Sequence, residues 1–352
     1  MIHPTPTSAV AAALDALSEE FWEAYLEAHP GFATVLGDRR FDDRLDDLSR
    51  AAQSAWSAFL EQTIERATAL DQEQLDDRAQ ITRLALIGEA RGQLEALATG
   101  VDDWSVNPID GLQTWIVDLV EYQPIRTPTE GGRLVTRVRG VNRLVDQLVE
   151  RLRDGLARGC VASVVPLEAV LDEVRLLAAT PATSWRLATP AKEPHADWNA
   201  VDLATFRADL INTIETVVIP AFDRYANVLE QEILPVARPS DQPGLVHVPD
   251  GAAAYRALAR FHTSLDLDPR AIHEIGMVEI ERLDLAIADL GAEVLGVHGL
   301  EATLHALRHD PTLRFETAEE VLEKAQRTLE RAQAAIPMWF GRLPHAPCEV
   351  VP

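Results

Sequence analysis

Hydrophobic positions recur along most of this chain at the three-and-four spacing of an amphipathic helix, and almost nowhere in the alternation of a half-buried strand. The clearest case follows Thr127-Pro128-Thr129-Glu130, which reads as N-cap, proline at the first helical position and glutamate at the third. Placed at about 100° per residue, Leu134, Val138, Val141, Val145, Leu148 and Leu152 fall in one narrow stripe. Other starts and stops bound further helices. One is Ala-rich, led by Pro6-Thr7-Ser8 and stopped near His29 by Pro30-Gly31. Two long ones run over about 50–70 and 72–98, with Asp71 and Gln74 as a capping-box pair between them and Gly100 as the end. Asn107-Pro108 opens a helix with Leu112, Trp115, Ile116 and Leu119 on one face, and Pro166 opens another to about Thr180. A long stretch over 199–232 is interrupted at Pro220, Leu300–Arg308 is helical, and Thr317 with Glu320 caps a helix to about Ala335.

The predicted class is therefore all-α, a large array of about ten to twelve helices, with strand confined to short pieces near 244–248 and 348–351. Residues 181–197 hold three prolines and read as a linker between an N-terminal helical region, 1–180, and a second, 198–352, packed with the first as one unit.

Composition changes this picture little. Apolar content of 47% with 25% charged residues is globular, and abundant Ala, Leu, Glu and Arg favour helix. Charge is more telling: 32 basic against 56 acidic residues leaves −24, which repels nucleic acid and anionic membrane surfaces. Cys160 and Cys348 stand far apart, no basic residue precedes the first apolar run, and no apolar run reaches the ~18 residues of a membrane span. The expected location is the cytoplasm, with neither nucleic acid nor membrane as partner.

Candidate chemistry is sparse. From 126 to 158 there are eight arginines against four acids, a local +4. Arg133, Arg137, Arg139, Arg143, Arg151 and Arg153 lie off the apolar stripe, and they read either as an anion or carboxylate site or as a face that docks on the acidic remainder; docking is favoured. Asp42, Asp43, Asp46 and Asp47 lack the alternation and the glycine of a calcium loop, and interleaved Arg39, Arg40 and Arg44 make local ion pairing the better account.

The stretch 233–283 is the most distinctive in the chain. Four prolines (Pro235, Pro239, Pro243, Pro249) break up a loop that Pro249-Asp250-Gly251 closes as a turn, a short helix runs to about Ser264, and Asp268-Pro269 starts a second helix. That second helix carries His273-Glu274, but Met277 stands where the second histidine of H-E-x-x-H must be, so no two-histidine zinc site forms there. His305 and His309 have the spacing but lack the glutamate. Glu279 falls amid Ile272, Ile275, Leu283, Ile287 and Leu290 and is expected to be buried, paired with Arg256, Arg260 or His262; a structural ion pair is favoured over a site carboxylate. There is no G-x-S-x-G, no P-loop and no G-x-G-x-x-G, and Glu130 beside Gly131-Gly132 repels phosphate.

Four segments in order, FWEAYLEAHPGFATVLGDRRFDDRLDDLS at 21–49, WSVNPIDGLQ at 104–113, the run from Leu234 to Leu283, and FGRLPHAPCEVVP at 340–352, resemble the bacterial domain-of-unknown-function 885 family over nearly the whole chain. That family is similar to helical gluzincin metallopeptidases, whose H-E-x-x-H motif and downstream glutamate ligand lie beyond the segment matched by 340–352. The resemblance therefore implies an N-terminal part of a metallopeptidase-like protein, without catalytic residues, zinc ligands or any other cofactor of its own, completed by a C-terminal polypeptide or offering a peptide cleft. Arg238, Gly244, Pro249, Asp250, Gly251, Tyr255, His262, Thr263, His273, Gly276 and Glu279 carry over as scaffold positions. Of these, Arg238, Tyr255, His262, Thr263, His273 and Glu279 are the expected cleft wall. A free-standing helical binding or scaffold protein without catalysis is the rival, and a metal-free hydrolase using Glu279 and His262 is a third reading.

Overall fold

In the computed structural model, which describes residues 9–343 and 345–350, the chain is all-α, and a lone parallel bridge between Ser163 and Arg238 is the strand-like pairing found among the described residues. Helices α1 (Ala9–Ala28), α2 (Pro30–Val35), α3 (Arg50–Ala69), α4 (Asp77–Ala98) and α5 (Leu112–Tyr122) come first. Then follow α6 (Pro128–Arg139), α7 (Val141–Ala157), α8 (Val164–Ala179), α9 (Thr189–Lys192), α10 (Ala200–Thr213) and α11 (Ile219–Val228). The last four are α12 (Gly251–Thr263), α13 (Pro269–Leu290), α14 (Leu300–His309) and α15 (Ala318–Trp339).

Local chemistry accounts for most boundaries. Thr127 accepts from the Glu130 amide while Glu130 returns a bond to the Thr127 amide, the reciprocal box expected. Ser49, Asp76, Asn199 and Thr317 each accept from a first-turn amide in the same way. Asp71 and Gln74 do bond, but they form a single 3₁₀ turn over Gln72–Gln74, and α4 starts later behind Asp76. The first helix ends at Ala28, as expected ahead of Pro30-Gly31, and Pro30 then opens α2, where its missing N–H costs nothing. The expected lead-in at Pro6-Thr7-Ser8 lies outside the described residues.

The expected helix over 128–158 is two helices, α6 and α7, joined at Gly140, and the predicted stripe survives the joint: Leu134, Val138, Val141, Val145 and Leu152 are buried and Leu148 half-buried. This stripe is the centre of the larger core, to which α8, α10 and α11 add Leu167, Val170, Leu210, Ala221 and Phe222. A second core joins Leu14, Leu17 and Phe21 of α1 to Leu60 of α3 and Leu86 and Ile87 of α4. Within 200–233 the helix widens into π turns at Ile214–Val218 and Leu229–Ile233. Each holds the residue four before a proline, Thr216 before Pro220 and Gln231 before Pro235. That is the carbonyl a proline ring would strike, and widening relieves the contact.

Two expectations need correction. Residues 181–197 are not a linker: Trp185, Leu187, Ala188 and Ala191 are buried in the larger core, and Pro181 and Pro190 start short helical turns instead of spacing domains. The chain divides at Pro269 and Arg270. The stretch 244–248 is a 3₁₀ turn at Leu245–His247, and 348–350 has no strand, because neither finds a neighbouring strand to bond; Val351 lies outside the described residues. In the unit that begins at Arg270, Gly291 and Thr303 are the buried residues among those described, and α13 exposes Ile275, Val278 and Leu285. No described helix is long and apolar enough to cross a membrane.

Candidate functional site

The acidic segment between α2 and α3 buries only Phe41 and Leu45 among its apolar residues, and its backbone is held by a column of side chains from α6 and α7. Arg133 donates to the Arg39 carbonyl at 2.7 Å, Arg137 to that of Phe41 at 2.6 Å, and Arg151 to that of Leu48 at 2.7 Å. Arg143 reaches the carbonyls of Leu45 and Asp46 at 3.3 and 3.4 Å, and Gln147 meets the Asp47 carboxylate at 2.8 Å. Backbone acceptors thus take most of the charge-assisted bonds. Of the six arginines lying off the apolar stripe, Arg133, Arg137, Arg143 and Arg151 dock on the acidic segment, whereas Arg153 pairs with Glu232.

Arg137 is the extreme member. Its side chain has no exposure, and its guanidinium also bonds Gln123 Oε1 at 2.9 Å and Thr34 Oγ1 at 2.8 Å. Asp42, itself buried, stands 3.9 Å away. Burial pulls the guanidinium pKa down to about 10 against the opposing pull of Asp42, Asp46 and Asp43, so it stays cationic at neutral pH. Its Nε finds no acceptor. A smaller node of the same kind closes the far end of α7. Buried Asp103 accepts from Arg50 at 2.7 Å and Arg158 at 2.6 Å, and Arg50 also holds Asp154 at 2.8 Å. The carboxylate bonds, that to Asp103 foremost, hold the Arg50 pKa above its ordinary value despite partial burial.

Beneath the acidic segment lies a cavity of about 590 Å³, walled by the α1–α2 junction, the segment 43–48, α3 and α7. His29 stands in it with Nδ1 3.7 Å from Asp46, while Gly31 N donates to the other oxygen of that carboxylate at 3.3 Å. The His29 ring packs on Tyr25, centroids 4.5 Å apart, and edge-on to Trp56 at 5.8 Å. Sequence reasoning noticed the acids and arginines here but not the enclosure. The one available signal was Arg137, which on a helical wheel lies only about 20° from Leu148 of the apolar stripe.

Of the six expected cleft-wall residues, Arg238, Tyr255, His262 and Thr263 belong to the first unit, and no hydrogen bond or ion pair joins any two of these four among the described residues. Arg238 staples its own loop: Nε donates to Val161 O at 2.9 Å, and Nη1 to Gln242 O and Gly244 O at 2.7 and 2.9 Å, over the Trp104 ring. Burial lowers its pKa. Tyr255 and His262 are exposed on α12, and Thr263 Oγ1 donates to Ala259 O at 2.7 Å. His273 and Glu279 belong to the unit that begins at Arg270, and both are exposed. Glu279 is not the buried carboxylate expected. It pairs with Arg282 one turn on, at 2.8 Å, and that bond lowers its pKa, while Arg260 is held by Glu95 at 2.7 Å. The apolar residues flanking Glu279 do not form a covered face, since Ile275 and Leu283 are themselves exposed.

The turn Pro249-Asp250-Gly251 is a backbone device. Asp250 sits at φ 54, and a Cβ on Gly251 would lie 1.6 Å from the Leu245 carbonyl oxygen. It borders a smaller cavity of about 420 Å³ with Arg158, Cys160 and the facing alanines of α4 and α12. Among the described residues no three His, Cys, Asp or Glu side chains converge as they would around a metal. The His305 and His309 rings stack at 4.4 Å, with His309 Nδ1 3.0 Å from the His305 carbonyl.

Comparison with known proteins then fixes the family. The profile of "Bacterial protein of unknown function (DUF885)" matches residues 30–352. The chain belongs to the DUF885 family. No curated protein matches it. Among solved structures, the fold of this DUF885 chain is similar to that of the "putative lipoprotein" from Colwellia psychrerythraea, with TM-score 0.82 and 18% identity. The match covers 97% of this chain and 62% of that one, so the chain spans less than two thirds of the structure it resembles.

Proposed function

We propose that this DUF885 chain is the N-terminal helical portion of a metallopeptidase-like hydrolase, inactive alone, whose H-E-x-x-H zinc motif is carried by polypeptide that this sequence does not contain. The observation that carries the proposal is the coverage: nearly all of this chain superposes on only 62% of a longer solved chain. The exposed apolar residues of α13, and Met338, Trp339 and Phe340 at and after the end of α15, support it, because they are the kind of surface that further polypeptide covers. The residues present do not fit zinc. His273 and Glu274 are followed by Met277 where a histidine is required, and no three-ligand group exists among the described residues. No catalytic step is therefore assigned to this chain. A reducing, cytoplasmic setting suits its two free cysteines.

The test is zinc content by mass spectrometry together with peptidase assays on the purified chain. Substoichiometric metal and no turnover are expected, and stoichiometric zinc with turnover overturns the proposal. A second reading, a free-standing helical binding or scaffold protein, is favoured by one observation: both large cores are built from residues before Pro269. The two separate on adding the C-terminal part of a longer DUF885 protein. The first reading expects a stable complex with zinc-dependent activity, and the second expects none.

A further inference from the structure

We propose that the cavity beneath the acidic segment binds a small zwitterion of the amino-acid or dipeptide kind, its carboxylate on Arg151 and its ammonium group on Asp102 and Asp43. Most charges around this cavity are already matched. Arg143 faces Asp47 at 3.2 Å, Arg44 faces Glu27 at 3.4 Å, and Arg137 is enclosed with Asp42. Arg151 is the exception. It is half-buried and lines the cavity, its Nε is engaged by the Leu48 carbonyl, and no carboxylate among the described residues pairs with it. Arg83, Arg133, Arg207 and Arg238 are also half-buried on carbonyls with no acid pairing among the described residues, but none of them lines this cavity, and Arg151 does. Its planar terminal nitrogens suit a carboxylate's two oxygens.

Asp43 and Asp102 line the same cavity and have no hydrogen-bond or ion-pair partner among the described residues. One cation without an acid and two carboxylates without a hydrogen bond or close ion pair, Asp43 lying in the field of Arg137 and Asp102 exposed, favour a ligand carrying both signs. A phosphate or dicarboxylate would meet the same acids and the chain's overall negative field, whereas a zwitterion of net charge zero is not repelled. Apolar contact is available as well. Trp56 has its indole N–H tied to Gln93 at 3.0 Å, so its ring offers only hydrocarbon, and Leu48 and Leu97 stand in the same wall. A volume of about 590 Å³ lies within the ordinary range for small-molecule sites, roughly 300–1,000 Å³.

This inference does not depend on zinc or hydrolysis, because it is read as binding by the chain itself. Titration calorimetry of the full chain with leucyl-alanine, its N-acetyl and C-amide derivatives, and inorganic phosphate tests it. One-to-one binding of the free dipeptide is expected, weakened about tenfold or more by either block, since each removes a charge-assisted pair. Asp102→Asn, at an exposed and unpartnered site, is expected to weaken the free dipeptide while leaving the N-acetyl form unchanged. Arg151→Gln is expected to weaken the free dipeptide and leave the C-amide unchanged. Because Arg151 also holds Leu48, retention of the wild-type far-ultraviolet spectrum and melting transition is checked first, and Asp102→Asn stands as the independent arm. No binding to the folded chain at millimolar dipeptide, equal affinity for blocked and free forms, or phosphate binding as tight as dipeptide each overturns the proposal.

Discussion

A guanidinium with no access to water survives only where most of its donors are matched, and Arg137 shows how this chain does it, with both terminal nitrogens bonded and Nε left without an acceptor. Its bonds to Gln123, Thr34 and the Phe41 carbonyl come from three separate parts of the chain, and its counter-charge Asp42 is buried with it. Arg137→Met is expected to destabilise the protein by about 3–5 kcal/mol, because it strands Asp42 and several carbonyls; urea denaturation followed by circular dichroism measures this. Glu279 is the counter-example. Exposed and paired only with Arg282, it is expected to tolerate Glu279→Gln with no measurable change in the urea midpoint. From sequence the two looked the other way round: Glu279 seemed set in an apolar face, and Arg137 seemed one of several arginines off the stripe. A helical wheel ranks residues by the company they keep on one helix. Burial depends on what the opposite side meets, and α13 meets little while α6 meets the acidic segment.

At the scale of the element, what was legible was what chain-local chemistry decides. Thr127 with Glu130 and Thr317 with Glu320 cap the helices they were expected to cap, and the apolar stripe from Leu134 to Leu152 is the core face. What was not legible depends on distant partners. The segment 181–197 has linker composition, yet Trp185 packs edge-on to Phe222, ring centres 5.4 Å apart, which no local pattern encodes. The candidate cavity needs α1, α3, α7 and the acidic segment to converge, and so it was invisible until they did. Helix-to-helix charge pairs carry a pH dependence. The Arg153 bond holds the Glu232 pKa below its ordinary 4.5, and the Arg66 bond does the same for Glu20. A carboxylate whose folded pKa is depressed contributes stability that is present above 4.5 and is lost as pH falls through the folded value. The stability difference between wild type and Arg153→Met is therefore expected to stay constant from pH 7 down to the ordinary carboxylate range, and to shrink toward zero below it. Chemical denaturation at a series of pH values reads this directly.

Across the whole molecule, burial is distributed so unevenly that the two units are expected to behave differently when separated. Every buried hydrophobic residue among those described, from Leu14 to Val248, precedes Pro269. Among the described residues from Arg270 onward only Gly291 and Thr303 are buried, in a tight contact where a Cβ on the glycine would lie 1.9 Å from the threonine hydroxyl, while Val278, Leu285, Met338 and Trp339 stay exposed. Cooperative unfolding requires a shared core large enough to offset the ordering of about 1–2 kcal/mol per residue. The first unit has such a core, and the described residues of the second do not form one. A fragment of residues 9–269 is expected to show a single urea transition, with a midpoint close to that of the full chain. A fragment of residues 270–352 is expected to show a gradual, non-cooperative loss of helix and to bind a hydrophobic dye. If the second fragment unfolds sharply by itself, its exposed apolar residues are not waiting for a covering polypeptide, and the reading of this chain as part of a longer DUF885 fold loses its structural support. If it becomes cooperative only on addition of the C-terminal part of a longer family member, that reading gains what coverage of a solved structure cannot supply, a direct thermodynamic link between the two polypeptides.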